Sequence, residues 1–197
     1  MIRKTAILLV LFALLLGGCN SGHKTAQEFY DENFKWKITI PENLEAVDTA
    51  KWAKSRERGL QLVEDTYGEK VEDNTIPIFT FNKGQFNVFE ARYEPFDPEV
   101  DGDFFENSKL ANEILYETFI TQMPKFVIDT LTNTEHIDNL VFQVFKVKMS
   151  YHNKIVMSAF MYSRLFEKRL FNLNIIYRDE ELGQKMLDAW KNSTFGK

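Results

Sequence analysis

A single cysteine, Cys19, stands in a chain of 197 residues. It leaves no partner for an intramolecular disulfide and no second thiolate for a metal site. The histidines number three, His23, His136 and His152, and none has a neighbour at helical or loop-ligand spacing. A zinc centre needs three or four convergent N, S or O ligands. The nine glycines form neither the P-loop nor the dinucleotide fingerprint, and the serine elbow of the hydrolases is missing too. These absences predict a protein without a cofactor and without a local catalytic motif. A spatial triad can be assembled on paper from Glu90, His152 and Ser163, since catalytic geometry need not be sequential.

A surplus of positive charge is also missing. The chain holds 24 basic and 29 acidic residues, which argues against a nucleic-acid binder and against electrostatic docking onto anionic lipid headgroups. No apolar run reaches the roughly 20 residues of a membrane-spanning helix. The longest lies between Ala6 and Leu16, within the range of about 7 to 15 that serves a secretory core.

That run is preceded by Arg3 and Lys4 and followed by Leu16-Gly17-Gly18-Cys19. The four residues resemble the lipobox of bacterial lipoproteins, in which two small residues admit the backbone to a signal peptidase and the thiol accepts diacylglycerol. The reading that follows is a signal peptide over 1–18, a lipidated polar tether over 19–33 and a single domain over 34–197. Cleavage leaves a body of net charge −7, because residues 1–18 hold two basic and no acidic residues. Two or more acyl chains on Cys19 suffice for stable anchoring, each methylene contributing about 0.8 kcal/mol. Asn20, unlike an aspartate there, is not an inner-membrane retention signal of the enterobacterial kind, so the outer membrane is the preferred location within the cell envelope.

Along the domain, Phe34, Trp36, Ile38 and Ile40 alternate with polar residues up to Pro41, which predicts a half-buried strand. Asp48 and Thr49 open a helix that Gly68 stops. Segments 76–82 and 86–94 read as a hairpin about Lys83-Gly84-Gln85. A second helix starts at Asp103, or else at Asn107 and Ser108. It carries the stripe Leu110, Ala111, Ile114, Leu115, Phe119 and Met123, and ends at Pro124. Strand patterns return from Val127 to Tyr177 with a turn at Asn153-Lys154, and Asp179 starts a closing helix with stripe Leu182, Met186, Ala189 and Trp190. The order β-α-β-β-α-β-β-β-β-α is that of an α+β fold, an antiparallel β-sheet covered by helices.

Two segments, Phe34-Lys35-Trp36-Lys37-Ile38-Thr39-Ile40-Pro41 and a C-terminal helix ending Ala189-Trp190-Lys191-Asn192-Ser193-Thr194-Phe195, together with this element order, resemble the PsbP/Mog1-like fold family. It includes the photosystem extrinsic protein PsbP, the Ran-binding protein Mog1 and bacterial lipoproteins. The resemblance implies a non-enzymatic module that binds or stabilises a membrane-associated assembly. It carries no functional residue onto this chain.

Four further features invite a functional reading. Asp97, Glu99, Asp101, Gly102 and Asp103 copy the first half of a calcium loop, but Ser108 stands where its bidentate glutamate belongs. The acidic segment 94–106 is therefore expected to be a solvated loop and helix start. Trp36, Trp52 and Trp190 are expected as core anchors. Lys146, Lys148 and His152 share one strand face, expected to be wet. A membrane-anchored protein with a protein partner is the leading expectation. A carrier of a hydrophobic small molecule, which needs an apolar cavity of roughly 300 to 1,000 Å³, is the alternative, and a hydrolase the weakest.

Overall fold

The structure is a computed structural model that describes residues 25–68, 70 and 73–196, the side chains of 49–51 excepted. The signal segment, Cys19 and His23 lie outside the described residues.

In chain order the strands are β1 (Gln27–Asp31), β2 (Trp36–Ile40), β3 (Glu45–Ala46), β4 (Ile76–Asn82), β5 (Val88–Pro95), β6 (Val127–Ile137), β7 (Leu140–Tyr151), β8 (Lys154–Phe166), β9 (Arg169–Tyr177) and β10 (Thr194–Phe195). The helices are α1 (Thr49–Tyr67), α2 (Pro98–Asp101), α3 (Phe104–Gln122) and α4 (Glu180–Lys191). All ten elements expected from the sequence are present, and the α+β class with its antiparallel sheet is as expected.

A seven-stranded sheet runs β3-β4-β5-β9-β8-β7-β6, with antiparallel pairing throughout. Its right half is a meander because each connection is a two-residue turn. At Asp138-Asn139 both residues have positive φ, 47° and 63°, and at His152-Asn153 48° and 60°. Turns of this hand match the twist of the strands they join. The second turn therefore falls one residue earlier than expected, at His152-Asn153.

One face of the sheet carries α4 and a small sheet of order β1-β2-β10. Between these layers lies the main core, built from rings. Trp36 stacks on Phe79 at 5.4 Å and on Phe195 at 5.9 Å, and meets Trp190 edge-on at 5.9 Å. Trp190 in turn stands edge-on to Phe142 at 5.0 Å. Trp36 and Trp190 are fully buried. The opposite face carries α1 and α3, where Leu115 and Phe119 of α3 pack on Phe145, Val147 and Ala159. Strand β7 is buried first on one face, through Phe142 and Val144, and then on the other, through Phe145, Val147 and Met149. The layers on the two faces thus cover opposite halves of it.

Four local expectations need correction. The tether does not extend to residue 33, because Gln27–Asp31 pairs with β2 and places the Phe29 ring 5.1 Å from Phe79. One apolar anchor in a polar segment was enough to recruit it. The closing helix stops at Lys191, and Phe195 returns as β10 opposite Trp36. The α3 stripe is only partly used: Leu110 is 54% exposed and Ala111 is exposed, while Leu115 and Phe119 pack on the sheet. Trp52 is half-buried, not a core anchor, and its indole N–H has a polar partner.

Candidate binding surfaces

Strand register writes three rows of side chains across the helix-covered face of the sheet. The first is Val88, Ile176, Ala159 and Val147, an apolar floor. The second is Glu90, Asn174, Met161 and Phe145. The third is Arg92, Asn172, Ser163 and Gln143, four hydrogen-bonding side chains on four adjacent strands. Neighbouring strands lie about 4.8 Å apart, so this row is a polar line across the sheet. Its members are half-buried, and the Arg92 Nε is buried with no hydrogen-bond partner among the described residues.

Glu90 is the buried charge of this face, 5% exposed. The Trp52 indole N–H donates to its Oε1 at 2.6 Å, and the Asn174 side-chain amide donates to Oε2 at 3.1 Å. Two donors on a carboxylate offset much of its lost hydration. Beside it, Arg56 of α1 binds Asp73 at 2.9 Å and donates to the Thr75 hydroxyl at 3.1 Å. Burial pushes the Asp73 carboxyl up, but the Thr75 hydroxyl and N–H, which donate to its Oδ1 at 2.5 Å and 3.1 Å, and the charges of Arg56 and Arg92 outweigh it and hold the carboxyl below the usual range. At the far end a groove of about 460 Å³ opens between α3 and β6–β7, lined by Phe105, Lys109, Asn112, Tyr116, Thr132 and Gln143 among others.

A second cleft, of about 730 Å³, lies at the end of the sandwich between the two sheets. Arg164 and Arg169 line it together with Leu140, Leu165 and Phe166. The Arg164 guanidinium lies 5.9 Å from the Phe142 ring centre and 5.2 Å from that of Phe166. Arg169 lies 5.1 Å from the centre of Phe34.

The residues singled out in the sequence disperse. Glu90 and Ser163 lie on the same face but in different rows and on non-adjacent strands, while His152 occupies the exposed β7–β8 turn against Tyr151. The triad does not assemble. His136 is exposed on edge strand β6. In the acidic segment, Asp97 accepts from the Glu99 N–H and pairs with Lys168 at 2.6 Å. Asp101 accepts from the Asp97 N–H, and Asp103 caps α3 through the N–H groups of Phe105 and Glu106. These carboxylates terminate helices. Among the described residues no group of three or more His, Cys, Asp or Glu could hold a metal ion. Lys146 pairs with Glu135 at 2.7 Å and lies over Phe160, whereas Lys148 is exposed. The arginine cleft gave no signal in sequence, because its parts come from three separate turns and two strand ends.

The architecture is an α+β fold, with its sheet enclosed between helices on one side and a strand–helix layer on the other, and this fold is PsbP-like. Among solved structures, the chain is similar to the solution structure of cyanobacterial PsbP (CyanoP) from Synechocystis sp. PCC 6803, with a TM-score of 0.56 over 92% of this chain and 99% of that one, at 7% sequence identity. No family model and no curated protein sequence matches the chain. Among the described residues no helix is long and apolar enough to cross a membrane.

Proposed function

We propose that this protein is a lipoprotein of the bacterial cell envelope, cut before Cys19 and lipidated there, whose folded domain is a non-enzymatic binding or assembly module with a protein partner. The observation that carries this reading is the division of the molecule into a solid interior and open, chemically mixed surfaces. The middle of the space between its layers is packed by ring contacts, so the open volume lies at the surface and at the sandwich end. Hydrogen-bonding groups collect instead in surface grooves and at the sandwich end. The PsbP-like fold supports the same reading, as do Arg3, Lys4, the apolar run to Leu16 and Gly17-Gly18 before Cys19. The test is crosslinking in bacterial cells followed by mass spectrometry of the purified product. A reproducible protein partner and a lipidated Cys19 amino terminus are expected. Co-purified lipid in the domain with no protein partner would replace this reading by that of a carrier. An intact Met1 terminus, or unchanged membrane partitioning of Cys19→Ala, would remove the anchor.

A further inference from the structure

The cleft at the sandwich end holds an arginine whose hydrogen bonds are largely unspent. Arg164 gives one N–H to the Val141 carbonyl at 2.6 Å. Its Nε is buried with no acceptor, and no carboxylate pairs with it among the described residues. Packing against Phe142 and Phe166 strips water from the guanidinium, and this burial pulls its pKa down. Two acids line the same cleft, Asp138, which accepts the Phe195 N–H at 2.7 Å, and Glu167, which lies 3.8 Å from Arg169 with its side chain 87% exposed, but neither forms an ion pair with Arg164. A desolvated cation without an anion is a standing cost that a ligand can relieve.

We infer that this cleft, where Arg164 and Arg169 face Leu140, Leu165 and Phe166, receives the C-terminal carboxylate of a partner protein whose last residue is apolar. The inference rests on the binding-module reading and names the partner's end. A guanidinium fork matches a carboxylate two bonds at a time, and the apolar wall suits a terminal side chain. Asn139 and Glu167, at positive φ of 63° and 53°, bring two tight turns to the cleft. Their main-chain groups can bond an extended peptide, as in other carboxylate-capturing sites, but offer nothing to a hydrocarbon tail.

The test titrates the full chain with fluorescein-labelled Gly-Gly-Leu-Phe as the free acid and as its C-terminal amide, read by anisotropy, with decanoate and inorganic phosphate as competitors. The acid should bind about tenfold or more tightly than the amide. Both Arg164→Gln and Arg164→Lys should lose about tenfold in affinity, because lysine keeps the charge and loses the fork, and Arg169→Gln several-fold, each titrated well below its own melting temperature. Equal binding of acid and amide, an undiminished Arg164→Lys, no saturation, or displacement by decanoate or phosphate at lower concentration than by unlabelled peptide would each overturn it. A crosslinked partner attached elsewhere would remove this inference and leave the binding-module reading standing.

Discussion

The Trp52 indole N–H reaches the Glu90 carboxylate at 2.6 Å, joining α1 to β5. Helix α1 has no fully buried side chain among those described, so its attachment to the sheet depends unusually on polar bonds. Trp52→Phe keeps most of the ring and deletes the donor, leaving a buried carboxylate with Asn174 as its remaining donor. The loss should be about 1–3 kcal/mol in urea denaturation. Hydrogen exchange should quicken in α1 well before β9. Equal acceleration in both elements would mean the bond does not tie the helix down.

The same pair shows where sequence reading stops. Strands β2 and β6–β9, the cap at Asp103 and the stop at Gly68 were legible, because alternation, capping oxygens and a left-handed glycine are local signals. Gly68 indeed has φ +74° and its N–H reaches the Glu64 carbonyl at 2.7 Å. Strands β3 and β10 are two residues long and carry no period to detect. Glu90 reads in sequence as a polar residue of a half-wet strand and one corner of a paper triad, with no sign of burial. Its burial arises from Trp52, 38 positions away, and from Asn174, 84 positions away, and only the fold supplies that proximity. Trp52, expected as a core anchor, differs for the same reason, since a tryptophan in sequence does not announce whether its N–H has a partner.

Helix α4 lies so close to β9 that one of its residues must be glycine. A Cβ on Gly183 would sit 2.4 Å from the Tyr177 ring, and both residues belong to the main sheet–helix contact. Gly183→Ala, which helps an isolated helix by up to about 1 kcal/mol, should here destabilise by about 1–3 kcal/mol through overpacking. Thermal melting decides between the two signs. Relieving the ring with Tyr177→Ala in the same chain should remove the penalty of the alanine, a coupling visible in a double-mutant cycle.

Glu135 gives stability a defined acid dependence. Burial alone would raise its pKa from the ordinary 4.5, but hydrogen bonds from Lys146 and Tyr162, at 2.7 Å and 3.0 Å, and the Lys146 charge outweigh it and hold the carboxyl below that value. A pKa lower in the folded than in the unfolded chain adds stability that is fully present above the unfolded value and is lost as pH falls through the folded one. Glu135→Gln should therefore be less stable than the parent at pH 7. The gap should narrow as pH drops below 4.5. Denaturation midpoints of both proteins at several pH values between about 7 and 3 test this, and a gap that stayed constant would show that the carboxylate's charge contributes nothing.

The open side of β6 bears on how the folded domain behaves at high concentration. This eleven-residue strand ends the seven-stranded sheet, and Val127 and Leu131 on it are 63% and 57% exposed. Long edges with exposed apolar side chains and unpaired main-chain groups are templates for another strand, and folded proteins commonly blunt them with charge. The domain should accordingly self-associate as its concentration rises, measurable by sedimentation. A double variant, Val127→Lys with Leu131→Glu, adds one charge of each sign and sets a glutamate opposite Lys146 in the ladder, a favourable cross-strand pair. It should abolish the association while changing stability by no more than about 0.5 kcal/mol, as expected for exposed positions. Association that persists in the double variant would locate the contact away from β6, with the exposed Leu110 and Ile120 side of α3 the next surface to substitute.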